Sequence, residues 1–414
     1  MSFAFFTRGR PRLRSPWIDA PAMTIEIVPV TDKALLQRFI RVPFAIHEHD
    51  KAWTPPLLME REEAFSPKTN PFLRRAEVRF WLARRDGRDV GRITAQIDPL
   101  AQRDGEGRVG HFGCLSVEDD AEAFAALLRT AEDFLKGRDV THVQGPFSLC
   151  INEETGLLVD GFDTPPMLLM GHDPIYAAAR LEALGYEKEK DVYAYLLDME
   201  APLPNPVRKL LERPLPTSIE IRPLNYKDYA NEIRRMVDIF NDAWSGNWGF
   251  VPITEPEGEA MAKQMKMLLD DRLVWFAEAD GKAVAFMVTL PNINEAVRDL
   301  NGRLFPFGWA KLLWRLKTHR IRSARVPLMG VRRSLSGTFL GSLIPLQLIA
   351  SSMIGARALG LRFIELSWIL EDNLPMRRIL ERLGTRTYKT YRVYGKVLGS
   401  STNSPIKLAP QAQV

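Results

Sequence analysis

Between Ala201 and Pro216 the chain carries prolines at 202, 204, 206, 214 and 216, a density that neither a helix interior nor a central strand accommodates. The segment reads as a linker, and 414 residues exceed what one ordinary core holds, so two domains are expected. The same order of elements is read on both sides of it. Before the prolines, 25–30 reads as a strand, 32–40 as a helix, 78–85 and 89–97 as a hairpin turning at Asp86-Gly87, and 109–117 as a strand. A helix at 121–136, a strand near 140–144, a helix at 176–184 and a strand from Val192 to Leu197 complete that half. After the prolines come strand 219–222, helix 227–243, a hairpin of 273–279 and 283–290 turning at Asp280-Gly281, strand 324–331, a helix around 340–360, strand 363–370, helix 375–383 and strand 388–397. No obvious sequence repeat accompanies the repeated order. The expected fold is α/β, two tandem domains at 23–200 and 218–399, each a mixed sheet flanked by helices, joined by the Pro-rich linker 201–217. Residues 1–22 read as a disordered arm and 400–414 as a disordered tail, and Met23 is a candidate translation start.

Composition narrows the function classes. With 46% hydrophobic and 26% charged residues the chain reads as globular, and no apolar run approaches the roughly 20 residues that span a bilayer. A net charge of +5 is mild and the arginines are mostly dispersed, so nucleic acid is not expected, and an anionic small ligand or anionic lipid surface suits the chain better. Only Cys114 and Cys150 occur, which points to a reducing compartment, the cytoplasm, and away from structural zinc. The first 22 residues hold four arginines but no apolar core followed by a cleavage site, so they are not read as a secretory signal.

Two stretches carry chemistry. In 362–384 an apolar strand of Phe363, Ile364, Leu366, Trp368 and Ile369 alternates with Glu365 and Ser367, passes Glu371-Asp372 to Asn373, and becomes a short helix. Pro375 stands in that helix's first turn, Met376, Ile379, Leu380 and Leu383 form its apolar stripe, and Gly384 ends it. This is how an α/β sheet places a site at a strand end. In Leu328–Ile344 a strand feeds a Gly- and Ser-containing loop that opens a long helix, whose unpaired backbone N–H groups, with Arg332 and Arg333, would hold phosphate oxygens. The alternative is a normally capped surface helix.

The order strand, Val331…Gly337-Thr338…Gly341 loop, helix, strand, and then Asn373-x-x-Met376-x-x-x-Leu380-x-x-x-Gly384, resembles the acyl-CoA-binding half of the Gcn5-related N-acetyltransferase superfamily. The resemblance implies an acyl-CoA-dependent N-acyltransferase with no permanently bound cofactor. Val331, Arg332, Arg333, Ser336, Gly337, Thr338, Gly341 and Asn373 would then hold acyl-CoA as co-substrate. The chain departs from the pattern at Ser336, where Arg or Gln is usual, at Phe339, where the first glycine is usual, and at Leu380, where the frequent tyrosine general acid would fall. Within the superfamily the chain is similar to the bacterial ceramide synthases over about residues 24–398. That similarity rests on Asp50-Lys-Ala-Trp53-Thr-Pro-Pro56, Gly145-Pro-Phe147 with Asn152-Glu153, Gly161-Phe162-Asp163-Thr164-Pro-Pro166 and Asn301–Arg315. It implies transfer of a long-chain acyl group, from acyl-CoA or an acyl carrier, to a sphingoid-base amine. The alternatives are an N-acetyltransferase of a small amine and a non-catalytic lipid- or CoA-binding protein.

For such a reaction Glu365 is the first candidate general base and Glu371 the second, although strand glutamates more commonly pair with an arginine, here Arg362 or Arg325. Asn152 and Glu153 are candidates for a polar contact to the substrate head group, the more common alternative being a turn formed by Asn and Gly. Phe305, Trp309 and Trp314, interleaved with arginines and lysines, suit an interfacial helix that admits a lipid from the inner face of the cytoplasmic membrane, or a helix packed over its own domain. His47-Glu48-His49-Asp50 lacks a second ligand pair at metal spacing and no metal is expected, and Cys150 lacks a partner for nucleophilic catalysis.

Overall fold

The computed structural model describes residues 24–103, 107–266, 268–318 and 321–399. The expected arm 1–22, Met23 and the tail 400–414 lie outside the described residues. The N-terminal half runs β1 (Glu26–Pro29), α1 (Lys33–Ile46), α2 (Leu58–Ala64), α3 (Phe72–Arg75), β2 (Glu77–Arg85), β3 (Arg88–Ile97), β4 (Val109–Val117), α4 (Ala121–Lys136), β5 (His142–Gly145), β6 (Phe147–Ser148), β7 (Glu154–Thr155), β8 (Leu157–Asp160), α5 (Ala177–Glu182) and β9 (Glu187–Asp198). After α6 (Asn205–Leu211) the C-terminal half runs β10 (Ile219–Pro223), α7 (Tyr229–Trp244), α8 (Glu255–Met265), β11 (Val274–Ala279), β12 (Lys282–Pro291), α9 (Asn294–Val297), α10 (Gly308–Lys317), β13 (Ser323–Val331), α11 (Phe339–Ala358), β14 (Phe363–Leu370), α12 (Leu374–Arg382) and β15 (Arg386–Val397).

Local chemistry explains the elements that were read correctly. Asp120 accepts from the backbone N–H groups of Glu122 and Ala123 and so caps α4, whose stripe Phe124, Leu127, Leu128, Ala131 and Phe134 is buried. Both long hairpins turn where Asp-Gly adopts positive φ, Asp86 and Gly87 at 52° and 77° and Asp280 and Gly281 at 49° and 73°. The proline-dense segment is not all loop: Pro206 stands in the first turn of α6, where its missing N–H costs nothing, and Val207 is buried.

Apart from β6 and β7, which pair only with each other, the strands join one 13-stranded sheet in the order β1-β2-β3-β4-β5-β15-β9-β14-β13-β12-β11-β10, with β8 also pairing β15. The last strand of each half thus lies against the fifth strand of the other: β15 runs antiparallel to β5, and β9 antiparallel to β14. The two exchanged strands also pair with each other, from Arg386↔Leu196 to Gly395↔Glu187.

Each half contains one parallel pair, and each pair parts after a few residues. β4 and β5 pair over Val109–His111, and β13 and β14 over Ser323–Val326. Each longer strand also bulges just beyond: Arg92↔Ser116 is followed by Thr94↔Gly113, and Val288↔Leu328 by Leu290↔Arg325, so β4 and β13 each spend three residues against two. By this register Gly113 occupies in the first half the place of Arg325 in the second. In the first half the gap is filled by the chain itself. A Cβ on Gly113 would fall 1.5 Å from the Phe147 carbonyl oxygen, and Gln96 Nε2 donates to the Phe147 and Leu149 carbonyls at 3.0 and 2.8 Å. In the second half Arg325, Pro327, Leu328 and Trp368 at the gap line a cavity.

The second half's sheet separates two apolar layers, because alternate residues of a strand face opposite ways. Ala277, Ala285 and Met287 pack with the α11 residues Ile344, Leu348 and Ile349, whereas Phe276, Phe286 and Val288 pack with Met236, Ile239 and Phe240 of α7. Against the expectation that no apolar run approaches a bilayer span, α11, alone among the described residues, is long and apolar enough to cross a membrane; its Leu343, Ile344, Leu348 and Ile349 are buried in the core.

Because β15 stands between β5 and β9, a chain ending at Gly384 should lose the fold of both halves. Differential scanning calorimetry of this truncation is expected to show no cooperative transition, and a surviving N-terminal melt would contradict the exchange.

Candidate active site

The parting of β13 and β14 opens onto a cavity of about 200 Å³ between the halves. Its wall from the first half is Arg61 of α2, Asn70 and the 148–154 loop with Asn152, Glu153 and Glu154; the second half supplies Phe240, Trp244, Met261, Arg325, Leu328 and Trp368. Glu153 accepts from the Leu149 backbone N–H at 3.2 Å and from Asn70 Nδ2 at 3.5 Å. Burial lifts its carboxyl to about 7, with Glu154 pushing the same way and Arg61 and the two hydrogen bonds opposing. Arg61 is held at 3.2 Å by Glu154, which leaves Glu153 without a close ion pair. Asn152 donates to the Val251 carbonyl at 3.1 Å and ties this loop to the other half.

Glu365 lies behind that wall, fully buried. It accepts from Ser367 Oγ at 2.7 Å and from the Tyr388 hydroxyl, and stands 3.3 Å from Arg325 Nε. Arg325 also donates to Ser367 Oγ at 2.8 Å and to the Leu168 and Leu169 carbonyls at 3.0 and 3.2 Å, so the carboxylate aims a guanidinium that itself lines the cavity. The neighbouring Trp368 also lines the cavity, and its buried Nε1–H has no acceptor. Glu371 is elsewhere: it takes Lys188 Nζ at 2.6 Å and the Asp191 N–H at 3.2 Å, tying β14 to β9. Asn373 accepts from the Met376 N–H at 3.2 Å and caps α12, and Leu380 is fully buried in the core, so no proton donor stands there.

The loop residues gather at one exposed corner. Val331 ends β13, Arg332 donates to the Ala283 carbonyl at 3.1 Å and pairs with Asp238, and the Arg333 N–H meets Asp242 at 2.8 Å. Ser336, Gly337 and Thr338 are exposed, and Thr338 Oγ1 caps α11 by accepting from the Gly341 N–H at 3.0 Å. Gly341 is required by space, since a Cβ there would lie 2.1 Å from the Leu335 carbonyl oxygen.

Phe305, Trp309 and Trp314 do not line the cavity. They are 74, 48 and 49% exposed, on a helical hairpin held by Leu312 and Leu316 against the core and by Lys311 and Arg315 on Asp299 at 2.5 and 2.6 Å. His47 and Asp50 meet a residue that local spacing could not supply: His172 Nε2 lies 2.8 Å from Asp50 Oδ2, and His47 Nδ1 3.6 Å from it. Burial keeps both imidazoles below their usual range, His47 at about 4. Arg61 and Asn70 escape the sequence reading, in which Trp368 is only an apolar strand residue; Arg61 meets its partner Glu154 across 93 residues, and no local pattern signals such a contact.

A bulged strand parting from a parallel neighbour, with a capped helix following it, defines a Gcn5-related N-acetyltransferase fold, here in tandem. Solved structures agree on the fold. A tandem protein of this class from the clavulanic acid biosynthesis pathway superposes with a TM-score of 0.53 at 15% identity, over 91% of this chain and 99% of its own. A Gcn5-related N-acetyltransferase from Sphaerobacter thermophilus gives a TM-score of 0.50 at 14% identity, over 90% and 96%. No family model matches the chain. Among curated proteins, a bacterial ceramide synthase of Caulobacter vibrioides is 49% identical over 92% of this chain and 99% of its own length, and the protein YghO of Escherichia coli 45% over 87% and 92%. The chain belongs to the bacterial ceramide synthase family of N-acyltransferases.

Glu365→Gln should cost about 3–5 kcal/mol in urea denaturation, because it leaves a buried guanidinium without its counter-charge, whereas Glu371→Gln at the half-exposed Lys188 pair should cost under about 1 kcal/mol. For Glu153 the folded carboxyl titrates near 7 against 4.5 in the unfolded chain, so the folded state binds more protons between those values. Stability is therefore expected to fall as pH rises from about 4.5 to 7, and Glu153→Gln to flatten that decline.

Proposed function

We propose that this chain transfers a long-chain acyl group from an acyl-CoA or acyl carrier thioester to the amine of a sphingoid base, with Glu153 as general base. The observation that carries this reading is a cavity at the open β13–β14 gap, with a carboxyl of near-neutral pKa on the wall facing that gap. Membership in the bacterial ceramide synthase family supports the choice of substrates.

Glu153 accepts a proton as the amine nitrogen attacks the thioester carbonyl, and the N–C bond forms. Arg325 and the unpaired Trp368 N–H are the donors available to the carbonyl oxygen as charge develops there. When the C–S bond breaks, the thiolate takes up one proton, and the protonated Glu153 can return the one it received. The amine loses one hydrogen and the thiol gains one, so no other reactant is needed. Glu365, out of reach of the cavity, is proposed as the residue that positions Arg325. The exposed corner from Arg332 to Gly341 is proposed to meet the phosphates of the donor. Exposed Phe305, Trp309 and Trp314, beside Arg303, Lys311 and Lys317, favour contact with an anionic membrane surface.

With a long-chain acyl-CoA and a sphingoid base, the purified protein is expected to form the amide, read by mass spectrometry. Glu153→Gln should lower kcat by about 10²–10⁴-fold and remove a rise in rate centred near pH 7. Amide formation undiminished in that variant would reject Glu153 as the base. Replacing Phe305, Trp309 and Trp314 together by alanine should weaken co-sedimentation with anionic vesicles.

A further inference from the structure

The catalytic cavity does not end at Glu153. A second, smaller cavity of about 30 Å³ lies beneath α8, and Phe240, Ile253, Met261, Met265 and Leu328 form walls of both. Its lining is entirely apolar and comes from α7, α8 and the β12–β13 face. Met236, Met261 and Met265 stand around it, unbranched side chains that can swing to change its bore. Gly258 holds α8 close against α7, since a Cβ there would fall 2.9 Å from Val237 Cγ2. An apolar void that shares these walls with a larger cavity carrying Arg61, Glu153 and Arg325 suits a single-chain amphiphile, tail inward and amine outward.

We infer that the space between α7, α8 and the sheet is the channel for the hydrocarbon tail of the acceptor amine, running from Glu153 inward; this rests on the acyl-transfer reading above. The occupant is assigned to the acceptor because of the sheet's two faces. The loop proposed for the donor leads into α11, which packs on one face, and meets α7 at the exposed Asp238 and the half-buried Asp242, whereas the channel lies under the buried sides of α7 and α8 on the other face. Two substrates approaching from opposite faces meet at the gap where Arg325 and Trp368 stand. Tail length would then be gauged by the inner residues Met236, Ala262, Leu269 and Phe286 rather than by those around the carboxyl.

The test is binding, by isothermal titration of the intact protein with n-alkyl amines of increasing length in the absence of any acyl donor. Affinity is expected to rise about threefold to fourfold per methylene over the length the channel holds. Ala262→Leu, which adds bulk to the inner end, should weaken binding more the longer the tail, by at least about tenfold for the longest. Met236→Ala should move the optimum to longer amines, and tests the same point if the leucine variant does not fold. Affinity independent of tail length, or variants that alter acyl-donor length preference instead, would overturn the assignment. Tail-dependent binding with no amide formed from any thioester would instead uphold the channel and refute acyl transfer.

Discussion

The exchange of final strands between the halves is the constraint on which the rest of the structure depends. β9 and β15 are each twelve residues long, pair with each other, and each also completes the opposite half's sheet. The backbone hydrogen bonds of either half are therefore incomplete without the other, and a buried unpaired donor or acceptor is expensive. Two cores, one around α4 and one around α11, are thereby held at a fixed separation. A cavity walled by both can have defined dimensions only because of that lock.

Polar links reinforce the arrangement where the halves face each other. Arg325 reaches across to the Leu168 and Leu169 carbonyls, Asn152 to Val251, Asn294 to Pro166, and Lys188 and Lys190 to Glu371 and Asp372. Lys389 goes further: it is fully buried, donates to the Gly161 and Thr164 carbonyls at 2.6 and 2.7 Å, and burial lowers it to about 8. Its two carbonyl acceptors pin the 161–164 turn beside β15. Buried donors paired in this way specify a unique fit as well as contributing stability.

Much of this was legible in the residue order. Strand 363–370, helix 121–136 and both Asp-Gly hairpins follow from period, caps and turn chemistry, and each was read within a residue or two. The resemblance to the acyltransferase superfamily, and within it to the ceramide synthases, agrees with the curated relatives. What the residue order leaves open is which long-range partner each polar group meets. Glu365 alternates on its strand as a cleft residue would, and of the two arginines named as alternative partners the fold gives it Arg325, with Tyr388, while Arg362 meets Glu200; Glu153 reads as part of a turn, yet the fold places it on one cavity lining with Arg325 and Trp368. Exchanged strands carry the same apolar alternation as strands that stay at home, so period alone cannot reveal the exchange.

Gly113 has a further consequence. With the Phe147 carbonyl seated where a side chain would stand, the first half keeps the outline of a transferase but has closed its own gap. Among the described residues, the open gap therefore lies in the second half, and residues of the first half wall the cavity there. Under the reading proposed above, the halves would divide the labour within a single molecule: the second holds the place for chemistry, and the first supplies the surface that faces it.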